Sequence, residues 1–85
     1  MTERDVELLV KLYGYRDVFP NYHNEVAYMK RKGWNERHVY LSSTGNGTWH
    51  FECWTGNHTW RVSVAKDEVS YETMLEALME LEKQE

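Results

Sequence analysis

From Arg37 onward the apolar residues recur at every second position, and the middle of that region, Trp49-His50-Phe51-Glu52-Cys53-Trp54, constrains everything beside it. Strict alternation is the mark of a strand with one buried face, because successive side chains point to opposite sides of a sheet. Val39 and Leu41 alternate with His38, Tyr40 and Ser42. Trp49, Phe51 and Cys53 alternate with His50, Glu52 and Trp54. Trp60, Val62 and Val64 alternate with Arg61 and Ser63. Three antiparallel strands are predicted, and slipping one strand by a single residue would set Trp and Phe opposite Glu and His.

The turn residues suggest how these strands pair. Gly45-Asn46-Gly47 suits a three-residue hairpin loop with its last residue left-handed, which would place Leu41 opposite Phe51 and Val39 opposite Cys53. Gly56-Asn57 suits a two-residue primed turn, pairing Phe51 with Val62, Cys53 with Trp60 and Trp49 with Val64. In both hairpins apolar residues meet apolar residues.

Helical periodicity flanks this region. Thr2 can cap a first helix, with Asp5 completing a capping box. Val6, Leu9, Val10 and Tyr13 form its buried stripe, Leu8 and Leu12 widen the stripe, and Gly14 ends it. Tyr22, Val26 and Met29 recur at helical spacing and predict a second helix from about Pro20 to Lys32, closed by Gly33. Lys30-Arg31-Lys32 would then occupy its last turn, where cations meet the negative end of the helix dipole. Ser70 caps a last helix from about Tyr71 to Glu82, with Val69 and Met74 as a hydrophobic staple. Tyr71, Met74, Leu75, Leu78 and Leu81 form its apolar stripe, and Glu72, Glu76 and Glu80 its acidic face.

The expectation is one α+β domain over residues 1–85: a three-stranded antiparallel β-meander with helices packed on one face, in the order α-α-β-β-β-α. A helix, three strands and a helix is similar to the order of double-stranded RNA-binding domains, loosely followed from Pro20 to Glu82. Those domains carry a lysine cluster at the start of their last helix, whereas Ser70-Tyr71-Glu72-Thr73 and repeated glutamates stand here. The likeness therefore transfers no function.

With helices on one sheet face, the other is left uncovered. On the predicted register it carries three rows: His38, Trp54 and Thr59; Tyr40, Glu52 and Arg61; Ser42, His50 and Ser63. An uncovered Trp among Tyr, His and Arg has the composition of a contact site. The bland alternative is that Trp54 packs on His38 while Glu52 and Arg61 form a cross-strand ion pair, both ordinary sheet stabilisers. Ser63, His50 and Glu52 superficially resemble a nucleophile, base and acid. A flat face, however, excludes no water and offers no oxyanion donors. His50 and Cys53 fall on opposite faces and His38 and His50 in different rows, which gives no metal-ligand spacing, and the glycine-rich turns serve hairpins rather than phosphate loops. No cofactor is expected, and Cys53 reads as a core residue.

Charge is asymmetric. Residues 1–66 hold nine Lys/Arg against seven Asp/Glu, while residues 67–85 hold seven acids and only Lys83. The resulting net charge of −4 is the wrong sign for a general nucleic-acid binder. No apolar run approaches a membrane span, the N-terminus does not read as a secretion signal, and the single cysteine suits a reducing cytoplasm.

These features point to a small non-enzymatic protein-interaction module, of the accessory or inhibitor type that phages and mobile elements often encode. It would use His38, Tyr40, His50, Glu52, Trp54 and Arg61, the acidic face Glu72, Glu76 and Glu80, or both. The alternative is a single-stranded nucleic-acid binder that stacks bases on the same aromatics and holds phosphates with Arg61 and the Lys30-Lys32 patch. Either a monomer or a homodimer is compatible with these residues.

Overall fold

The computed structural model describes residues 1–18, 26–42 and 47–84. Helix α1 spans Glu3–Leu12, followed by a short strand β1 (Arg16–Asp17) and four longer ones: β2 (Ala27–Lys32), β3 (Asn35–Ser42), β4 (Thr48–Trp54) and β5 (Thr59–Ala65). A 3₁₀ turn at Lys66–Glu68 leads into helix α2, Tyr71–Glu82. The strands form one antiparallel sheet in the order β1-β2-β3-β4-β5. The class is α+β as expected, but the meander has five strands rather than three.

Both helices begin as their residues dictate. The Thr2 hydroxyl accepts from the Asp5 N–H while the Asp5 carboxylate accepts from Thr2, and Ser70 and Thr73 make the equivalent reciprocal pair. Val6, Leu9 and Val10 from α1 join Met74, Ala77, Leu78 and Leu81 from α2. Together they cover Val39, Trp49, Phe51, Cys53 and Val64 on one sheet face. The expected parity of the central strand holds: Trp49, Phe51 and Cys53 point into this core. Gly14 takes φ +92° just beyond α1, the left-handed stop its position called for. Leu8 and Leu12 do not widen the buried stripe, and Tyr71 does not join that of α2; all three are exposed.

The second predicted helix is not formed where it can be seen. Residues 20–25 lie outside the described residues, and Ala27–Lys32 is a strand, so the likeness to the RNA-binding-domain order fails as well. Tyr28, buried opposite Val39, carries the apolar side of β2. Helical spacing misled because two other inward positions of this hairpin, Lys30 and Arg37, are cations. Lys30 lies beside Arg37, and both reach the helix layer. Lys30 Nζ donates to the Tyr13 carbonyl at the end of α1 (2.7 Å) and to Glu82 Oε1 at the end of α2 (2.7 Å). Arg37, fully buried, donates from Nε to the Leu81 carbonyl (3.2 Å) and from Nη2 to the carbonyls of Glu82 and Gln84. The last carbonyls of a helix have no partner within it, so these side chains supply the missing donors. The basic run thus meets helix C-termini after all, though those of other segments of the chain.

Register corrects a further expectation. In the β4–β5 hairpin the pairs Phe51 with Val62, Cys53 with Trp60 and Trp49 with Val64 are those predicted. Gly56 does not adopt the positive φ of a primed turn. In the β3–β4 hairpin Val39 faces Phe51 and Leu41 faces Trp49, a shift of two residues that keeps inward and outward sets intact. Gly47 is left-handed as expected (φ +86°), while residues 43–46 of that turn lie outside the described residues.

Candidate binding face

The sheet face opposite the helices carries the predicted site residues, in rows rearranged by the two-residue shift. Arg31, Glu36, Trp54 and Thr59 form one row; Met29, His38, Glu52 and Arg61 the next; Ala27, Tyr40, His50 and Ser63 the third. His38 is therefore beside Glu52 rather than Trp54, and Tyr40 beside His50 rather than Glu52. Diagonal reach restores the expected contacts, because rings and long side chains span to the next row. His38 stacks on Trp54 with centroids 3.9 Å apart and 26° between planes, and the Tyr40 hydroxyl donates to Glu52 Oε2.

Glu52 is the hub of this face. Its Oε2 also accepts from Arg61 Nε at 2.7 Å, and its Oε1 accepts from the Trp54 indole N–H at 2.7 Å. The expectation of an exposed carboxylate is corrected: the surrounding rings and guanidinium leave Glu52 only 3% exposed although no helix covers it. Burial alone would raise its pKa. The donors Tyr40 and Trp54 and the charge of Arg61 outweigh that and hold the carboxyl below the ordinary range. The same carboxylate shifts the pKa of the Arg61 guanidinium upward.

Around the hub lies a polar rim. His50 Nδ1 is 2.8 Å from Ser63 Oγ, and the Tyr40 and His50 rings are tilted 5.0 Å apart. Glu36 links Arg31 (3.3 Å) to His38, whose Nε2 lies 3.4 Å away. Burial lowers the His38 pKa against the opposing pull of Glu36 and Glu52, favouring the neutral ring. Ser63 and His50 are adjacent, while the two oxygens of Glu52 receive Tyr40, Arg61 and Trp54. Among the described residues no three His, Cys, Asp or Glu side chains gather as metal ligands.

Sequence reasoning missed Trp34. Pairing of Lys32 with Asn35 makes Gly33-Trp34 the two-residue turn between β2 and β3, with Gly33 at φ +61°. Trp34 is 98% exposed and stands two residues, roughly 7 Å of strand, beyond the Glu36–Trp54 pair. Trp54, the other exposed tryptophan, is 43% exposed. The signal was available: Gly-Trp between a basic run and an alternating segment is a hairpin tip once the basic run is read as a strand.

The remaining candidates lie elsewhere. Glu72, Glu76 and Glu80 project from α2, on the far side of the sheet from Trp54. Glu76 and Glu80 border a shallow groove of about 280 Å³ against Val62 and Val64 of β5, and Glu80 meets Lys83 at 3.3 Å. The Lys30-Lys32 patch is divided by strand alternation: Lys30 is held among the helix ends, and Arg31 pairs with Glu36 on the open face. No described helix is long and apolar enough to cross a membrane. Compared with known proteins, the chain matches no protein-family model, no curated protein and no solved structure.

Proposed function

We propose that this protein is a non-enzymatic interaction module that grips another protein with the open sheet face and the β2–β3 tip. The supporting observation is a composition and a geometry together: Trp34 and Trp54 are exposed at one end of a face where Glu52 fixes Trp54, Tyr40 and Arg61 in place. Trp, Tyr and Arg dominate binding hot spots because they combine large contact area with directed polar groups. A side chain already held by its neighbours loses less rotamer freedom on binding. The bland reading, that these contacts only stabilise the sheet, accounts for His38 on Trp54 and for Glu52 with Arg61. It gives no reason for a Trp34 that touches so little of its own fold.

Protein is favoured over single-stranded nucleic acid because Lys30 is committed to the helix ends and Glu52 offsets Arg61, leaving few cations for phosphates. The acidic helix would be a second contact only for a partner that wraps the edge of the sheet. A cytoplasmic accessory or inhibitor role, with the lone Cys53 kept reduced in the core, is part of the same proposal.

The test is capture from native lysate by wild-type protein and by Trp34→Ala and Trp54→Ala variants, with binding then measured on the purified partner. Loss of at least about 2 kcal/mol in either variant, roughly 30-fold in affinity, is expected. Identical partners and affinities in both variants would reject the face. Salt-sensitive binding of oligonucleotides abolished by the same variants would replace the protein partner with nucleic acid.

A further inference from the structure

Strand β5 forms one edge of the sheet, and among the described residues nothing pairs with its outer side. It runs for seven residues in unbroken register with β4, with no proline, lysine or bulge to discourage further pairing. Its one charged residue, Arg61, is held by Glu52. The opposite edge strand, β1, is only two residues long. Which backbone groups β5 offers follows from its ladder. The Thr55 N–H donates to the His58 carbonyl (2.9 Å) and the Lys66 N–H to the Gly47 carbonyl (3.3 Å). Hydrogen-bonded pairs recur at every second position of an antiparallel ladder, so Trp60, Val62 and Val64 spend their backbone groups on β4. The N–H and C=O groups of Arg61, Ser63 and Ala65 point outward.

Beside this edge, on the helix side, runs the groove of about 280 Å³. Val62, Val64 and Ala77 give it an apolar floor, and Glu68, Glu76 and Glu80 stand around it. Among the described residues the carboxylates of Glu68 and Glu76 have no ion pair or hydrogen bond, and Glu80 meets only Lys83 in an exposed pair. We infer that β5 takes up an extended basic segment of another protein as an added strand. In such pairing main-chain hydrogen bonds give affinity and alternate side chains give specificity. Lysine or arginine at every second position of the segment lays its stem on Val62, Val64 and Ala77 and brings its charge to the glutamates. The spacings agree: Glu76 and Glu80, one turn apart, are about 6 Å apart along α2, and alternate residues of a strand are about 6.8 Å apart. A second copy of the chain is the wrong occupant, because pairing β5 with itself across a two-fold axis sets one acidic rim against the other. This site does not rest on the open face or on Trp34 and Trp54.

Fluorescence anisotropy of the full chain with a labelled peptide of alternating Lys and Thr tests it. Saturable binding is expected, and the same peptide with Glu in place of Lys should bind at least about 30-fold more weakly. Ala65→Pro probes the backbone. Ala65 has φ −64°, the value proline imposes, and its N–H points outward, so the substitution removes one edge donor without strain. It should weaken the Lys peptide by at least about 10-fold at unchanged Tm. Glu76→Gln combined with Glu80→Gln, both at exposed positions of α2, should cost a similar factor, and this pair decides if Ala65→Pro fails to fold. Trp34→Ala and Trp54→Ala should leave peptide affinity within about two-fold, which separates failure here from failure of the open face. The inference is overturned by no saturation up to about 1 mM, by equal binding of the Glu peptide, or by full affinity in the edge and glutamine variants. Loss of the peptide in Trp54→Ala would overturn it, as would a dimer in sedimentation that Ala65→Pro dissolves, which would give the edge to a second copy.

Discussion

Replacing Glu52 with glutamine keeps the shape of the hub and removes only its charge, which isolates what the carboxylate does. Four donors converge on it: the Tyr40 hydroxyl, the Trp54 indole N–H and two nitrogens of Arg61. A glutamine has one oxygen to offer, and its amide N–H₂ must then face another donor. With the oxygen turned toward Tyr40 and Arg61, the amide meets the Trp54 N–H. Hydrogen bonds to a charged group contribute about 1.5 to 3 kcal/mol, and an unmatched buried donor costs about 1 to 3 kcal/mol. Arg61 and Trp54 are each partly exposed and can regain water, which discounts both figures. The net expectation is a loss of about 2 to 4 kcal/mol, or roughly 10 to 25 °C in Tm for a domain of this size. Urea denaturation at pH 7 with parallel calorimetry measures it.

The pH dependence supplies a second check on the same substitution. The folded-state pKa of Glu52 is depressed, so its contribution is complete above the ordinary unfolded value of about 4.3 and is lost as pH falls through the folded value. The gap between wild type and Glu52→Gln should therefore narrow below about pH 4. A deficit under about 0.5 kcal/mol at pH 7, or one that stays constant down to about pH 2, would refute the hub.

Two further outcomes follow from the polar interior. Arg37→Ala removes a fully buried cation and takes a donor from the carbonyls of Leu81 and Glu82 at the end of α2, so a loss of about 3 to 5 kcal/mol is expected by chemical denaturation, with early fraying of α2 in hydrogen exchange. His38 should titrate by NMR below the usual imidazole value of about 6.5, and stability should decline as pH falls from there toward the folded value, because the unfolded chain takes up the proton first. A normal His38 titration would mean that the ring is not enclosed by Trp54.

Some of this structure was legible in the residues and some was hidden by identifiable physics. The capping pairs Thr2 with Asp5 and Ser70 with Thr73 are local chemistry, and their helices begin where those residues stand. The parity of β4 was equally plain, since Trp49, Phe51 and Cys53 alternate with polar residues without interruption. The β3–β4 register differs by two because side-chain parity fixes even shifts only, and the intervening turn alone decides among them. Strand β2 was disguised because two inward positions of its hairpin, Lys30 and Arg37, meet helix carbonyls instead of apolar side chains. Periodicity records hydrophobicity, and a cation satisfying a backbone acceptor leaves no trace in it. Trp34 was overlooked for the same reason, and Glu52 looked exposed because rings rather than an element enclose it.

The guanidinium of Arg37 has a consequence for how α2 is held at its end. The Leu81 carbonyl accepts the Gln84 amide at 3.1 Å and Arg37 Nε at 3.2 Å, so a backbone donor and a buried side chain share it. The close of this helix is thereby tied to the sheet by a side chain forty-four positions earlier in the sequence.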